Sequence, residues 1–136
     1  MNANTTARWV EVQIWYLCQK ILQKHNNIME LMNIVDCLAS YGEYPAEPVK
    51  VIINEILTSR RYAPSEEENI LLMYLAKVPV NTIKKLTHKS GKSLYNIINT
   101  HINDNRAFYP RLTQEQTIIL EKFLDTIKTL KELVIC

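Results

Sequence analysis

Asn96 and Asn99, set among Lys89, Ser90, Lys92, Ser93 and Tyr95, are the side chains whose types and spacing best suit chemistry. That chemistry is recognition. An Asn amide reads adenine bidentately, a Lys ammonium meets guanine or phosphate, and Ser and Tyr hydroxyls hold phosphate. Candidates for catalysis are weaker. His25, His88 and His101 all fall near expected helix ends or turns, with no Cys or Ser nucleophile beside them and no His-x-x-Glu-His-type pair. Two glycines, Gly42 and Gly91, are too few for a phosphate-cradling loop. Cys18, Cys37 and Cys136 are too scattered for a disulfide framework and lack metal-ligand spacing. Cys18 and Cys37 read as buried small hydrophobes and Cys136 as a free thiol. The Glu66-Glu67-Glu68 triplet reads as helix-end chemistry rather than a metal site. The expectation is a non-enzyme with no catalytic residue, no metal and no cofactor.

The elements that must position the Asn and Lys set lie between Glu66 and His101. Pro79 to Asn99 has helix-turn-helix spacing. A first helix is predicted over Val80 to Thr87, with Ile83 and Leu86 three apart on its inner face. His88-Lys89-Ser90 makes a polar turn. A second helix, Gly91 to Ile102, buries Leu94, Ile97 and Ile98 and turns Lys92, Ser93, Tyr95, Asn96 and Asn99 outward. Such a unit places its second helix in the major groove. Ser65 to Glu68 is a capping-box pattern that starts a supporting helix to about Ala76, with Ile70, Met73 and Tyr74 inward.

Charge follows the same segment. From Lys77 to Arg111 seven basic residues face one acid, Asp104. The chain's net charge is +2, so that segment's +6 leaves −4 for the remainder. Lys84, Lys85, Lys89, Lys92, Arg106 and Arg111 therefore join Ser90, Ser93, Tyr95, Asn96 and Asn99 as expected contacts to double-stranded DNA. The bland alternative is that these lysines merely solvate exposed helix faces. Arg106, Phe108, Tyr109 and Arg111 lie in a loop that either touches the DNA backbone or pins the last helix.

Ile83, Lys85, Leu86, Ser90, Ser93, Leu94, Tyr95, Ile97 and Ile98 resemble the helix-turn-helix units of resolvases, transposases and sigma-factor-like regulators. Two positions depart from that pattern. Lys84 stands where those families place a small Ala, and Lys can snorkel outward. His88 stands where they place the turn Gly, and His is among the residues enriched at positive φ. The resemblance implies a DNA-binding transcriptional regulator or packaging adaptor of the kind found in phages and mobile elements.

The rest of the 136 residues, 47% apolar and 22% charged, reads as all-α. Residues 1–60 are expected to form a three-helix bundle, 61–112 the tri-helical DNA-binding domain, and 113–136 a last helix. Met1 to Thr6 reads as frayed. The first helix, Ala7 to Lys24, buries Val10, Ile14, Leu17 and Ile21. The second, Ile28 to Tyr41, ends at Gly42 in the left-handed conformation. The third runs from Ala46 to Ser59. Trp9, Trp15 and Tyr16 flank the first helix and form either core edges or a partner face. Leu120, Phe123, Ile127, Leu130 and Val134 repeat at coiled-coil spacing on the last helix, which either assists a dimer or folds back onto the bundle. A homodimer is expected, with Trp9, Trp15, Tyr16, Phe123, Ile127 and Leu130 as its candidate contacts. No run is long enough to span a membrane, no signal peptide is evident, and the cysteine usage suits a cytoplasmic protein. The competing reading is a small inhibitor or adaptor that binds another protein through the aromatic first helix, the helix-turn-helix being purely structural.

Overall fold

The helical periodicity is realised as seven α-helices and one 3₁₀ turn, with no strand, in a computed structural model that describes residues 3–101 and 109–135. The helices are α1 (Ala3–His25), α2 (Ile28–Tyr41), α3 (Ala46–Thr58), α4 (Glu66–Leu75), α5 (Val80–Thr87), α6 (Gly91–His101) and α7 (Gln114–Ile135); the 3₁₀ turn spans Arg60–Tyr62. None of the described helices is long and apolar enough to cross a membrane.

Local chemistry sets the helix starts. The Asn27 carboxamide accepts the Met29 N–H at 2.8 Å, and Ser65 Oγ accepts the Glu68 N–H at 3.1 Å. At α7 the capping is reciprocal: Thr113 Oγ1 accepts from Gln116 N at 3.1 Å, and Gln116 Oε1 accepts from Thr113 N at 3.0 Å. The helix ends are less conventional. Neither glycine adopts positive φ, whereas Asn26, Glu43, Lys77 and His88 do, at 49°, 60°, 66° and 58°. The left-handed residue expected at Gly42 is therefore Glu43, and Gly42 itself sits at φ −79°. Gly42 serves space instead. A Cβ there would overlap the Tyr44 ring and stand 2.8 Å from Thr126 Oγ1, the atom that hydrogen-bonds the Tyr44 hydroxyl at 2.9 Å.

The chain divides into two compact units, one of residues 1–9 and 64–110, the other of residues 10–63 and 111–136. The sequence suggested three parts instead. In the structure the last helix joins the N-terminal bundle, and the first residues of α1 leave that bundle for the unit holding α4 to α6.

In the unit of α4, α5 and α6 the three helices pack on one another. Among the described residues its buried apolar side chains are Ile70, Leu71, Leu72, Ile83, Leu94 and Ile98. Met73 and Tyr74, expected inward, are only half-buried, because α4 turns the Ile70 to Leu72 arc to the core. The opening residues of α1 are helical from Ala3 rather than frayed. Thr5 is buried, and Arg8 is anchored in a buried ion pair, Nε to Glu68 Oε2 at 3.0 Å and NH2 to Oε1 at 2.9 Å.

The second unit is a bundle of the rest of α1 with α2, α3 and α7. Val10, Ile14, Cys18, Leu31, Val35, Ile53, Ile56, Tyr62, Leu120 and Phe123 share one core. Cys37, expected buried, is exposed; its side chain follows Asp36 away from the Leu31–Val35 stripe. Burial pushes the Cys18 thiol up from its ordinary 9.0 to about 12, so it stays protonated at neutral pH. Burial first, then the hydrogen bond donated to Glu55 Oε1 at 3.0 Å, raises the Tyr62 phenol as well.

Candidate nucleic-acid interface

α5 starts after Pro79, whose carbonyl accepts the Thr82 and Ile83 N–H groups at 2.9 and 3.1 Å. Proline suits this place, since its fixed φ prepares a helix start and it has no N–H to orphan. The helix ends where His88 turns left-handed and returns its N–H to the Lys84 carbonyl at 2.9 Å. His88 thus takes the conformation glycine more often supplies in such turns. Ser90 then opens α6: its Oγ accepts the Ser93 N–H at 3.2 Å and its carbonyl the Leu94 N–H at 3.1 Å.

The phase of α6 follows from its buried side. Leu94 and Ile98 are buried at 0% and 3% exposure, and Ile97 is half-buried beside them. Lys92, Tyr95, Asn96 and Asn99, at spacing i, i+3, i+4, i+7, then fall on one stripe of the opposite side. All four are exposed. No carboxylate occurs anywhere in α5 or α6, and Lys84 and Lys85 are exposed on α5. Together these residues make a cationic, amide-bearing surface mounted on regular helix.

Several expected contacts do not join that stripe. Ser93 is half-buried, and its N–H closes the cap. The Lys89 ammonium stands 3.7 Å from Glu66 Oε1, so part of its charge is met within the unit. Glu67 similarly approaches His101 Nε2 at 3.4 Å. Arg111 belongs to the other unit. Its N–H is held by both Glu11 carboxylate oxygens at 3.0 and 3.2 Å, and its carbonyl accepts from Arg61 at 3.4 Å. Those bonds favour the reading of its loop as a pin for the last helix. Arg106 and Phe108 lie outside the described residues.

Leu86 overturns one packing expectation. It is 64% exposed, whereas Ile83 is fully buried. The inner face of this eight-residue helix is completed by Ile83 and Thr87 at i, i+4, and Leu86 is rotated off it. Thr87 reinforces that choice by donating its hydroxyl to the Ile83 carbonyl at 2.7 Å.

The expected partner face also changes. Phe123 is 2% exposed within the second unit's core, and Trp15 and Ile127 pack against the same core. These are monomer packing residues before they are anything else. Trp9 falls in the unit of α4 to α6 and Trp15 in the bundle, and both are half-buried. Tyr16 alone of the aromatic trio is exposed, meeting Trp15 edge to face at 5.0 Å. Sequence reasoning missed Arg8, Glu11 and Glu68, the buried charges that tie distant segments together. Arg8 and Glu11 signalled only as charges beside apolar residues, and Glu68 only as one of three successive acids at a helix start.

No family model, no curated protein and no solved structure matches this chain.

Proposed function

We propose that the chain is a sequence-specific DNA-binding protein, a transcriptional regulator of phage or mobile-element type, with α5 and α6 as its helix-turn-helix and α6 as the recognition helix. One observation carries this reading: Lys92, Tyr95, Asn96 and Asn99 share a single exposed stripe of α6, opposite Leu94 and Ile98. A helix in the major groove presents such a stripe to base edges, and its N-terminal residues lead. Lys84 and Lys85 supply phosphate contacts, and Lys89 does so when DNA competes with Glu66. One such unit reads only a few base pairs, so two copies on paired half-sites complete the proposal.

Selection of bound sequences from random duplex DNA at physiological salt tests the proposal. Enrichment of one motif, repeated about one helical turn apart, is expected. Recovery of unselected sequences would refute base reading.

A further inference from the structure

The second unit contains an apolar cleft of about 340 Å³ between α1, α2 and α7. Leu17, Cys18 and Ile21 form one wall, Leu31, Ile34 and Leu38 another, and Phe123, Ile127 and Leu130 the third. α7 lies close against α2 and α3, as α2 does against α3, and α1 joins the same core through Val10, Ile14 and Cys18. The cleft is wholly apolar in its lining; the one charged residue there, Lys131, contributes the aliphatic part of its side chain.

We propose that this cleft binds a single-chain fatty carboxylate. The inference is independent of DNA reading. Three features select that class. The volume lies at the lower end of small-ligand sites. A 150 Å³ apolar cavity holds benzene, so this one accepts a chain of roughly ten carbons. The wall offers no hydrogen-bond partner, which excludes a polar body and leaves the ligand's only polar group for the rim.

The rim is cationic. Lys131, one turn after Ile127 on α7, is the charged residue that lines the cleft itself. Lys131 is exposed and has no ion pair among the described residues. Charge complementarity at the mouth therefore favours a carboxylate head over a neutral or cationic one. The protonated Cys18 thiol is simply part of the apolar wall.

Isothermal titration of the full chain with sodium decanoate and, separately, 1-decanol tests this. Saturable one-site binding of decanoate is expected. Lys131→Glu, at an exposed position, should weaken decanoate about two- to fivefold, the worth of an exposed ion pair, and leave decanol unchanged. Ile34→Trp should fill the cleft and abolish binding of both at unchanged helix content; Leu130→Trp serves the same purpose if that variant does not fold. Absence of saturable binding would overturn the proposal. So would equal decanoate binding after the cleft is filled, indifference to Lys131→Glu, or self-association through this face that the same substitutions dissolve.

Discussion

The two units differ in which of their side chains they leave at the surface. In the α4–α6 unit the polar and basic residues of α6 are held outward by a small core, so Lys92, Asn96 and Asn99 remain available. In the bundle of α1, α2, α3 and α7 the aromatic residues with most binding potential, Trp15 and Phe123, are committed to the monomer's own packing. Large apolar side chains satisfy a core before they satisfy a partner, because burial of each is worth about 1.5–3 kcal/mol. Short polar side chains on a helix gain little from burial and stay outside. Exposure of a recognition stripe is thus easier to read from sequence than exposure of an aromatic face.

The largest effect expected concerns Arg8 and Glu68. Both side chains are shielded, at 0% and 5% exposure. Glu68→Ala would leave a buried guanidinium without its carboxylate, at a cost of about 3–5 kcal/mol. Denaturant unfolding followed by circular dichroism would measure it. A loss below about 1 kcal/mol, the worth of an exposed pair, would mean that the N-terminal segment is not anchored there.

Packing inside the helix pair comes next. Leu94→Ala should cost about 2–5 kcal/mol through lost transfer energy and a residual cavity. Leu86→Ala, at 64% exposure, should stay within about 0.5 kcal/mol. Equal costs for the two would show that the phase of α5 is wrong.

The bundle should respond to alkali. Cys18 holds its proton in the folded state up to about 12, whereas the unfolded thiol releases it near 9.0. Between those values the native state binds more protons than the unfolded one, so stability falls as pH rises, by about 1.4 kcal/mol per unit for this group. Cys18→Ala should flatten that slope while lowering stability at neutral pH. An unchanged slope would indicate that the thiol is accessible to water.

The smallest effect belongs to the turn. His88 at φ 58° carries a Cβ in a conformation glycine adopts freely. His88→Gly should raise the unfolding free energy by roughly 1 kcal/mol. A loss would mean that the imidazole makes a contact worth more than the backbone strain.

Much of this was legible in the chain. The limits of α2 and α5, the cap at Ser65 and the left-handed His88 follow from local signals, since each depends on side chains within four residues of the backbone they serve. What was not legible is non-local. Arg8 and Glu68 are sixty residues apart, and nothing in either neighbourhood names the other. Leu86 failed because i+3 and i+4 both fit an inner face, and only the packing partner decides between them. Gly42 was misread because a glycine after a helix can be there for its φ or for its missing Cβ, and here Tyr44 and Thr126 require the latter.

Base reading by the exposed stripe of α6 is open to fluorescence anisotropy with the selected duplex and a scrambled duplex, for wild type and Asn96→Ala across a salt series. Asn96→Ala should lose about 1–3 kcal/mol on the selected duplex and little on the scrambled one, at an unchanged salt slope. Equal affinities of wild type and variant for both duplexes would contradict it.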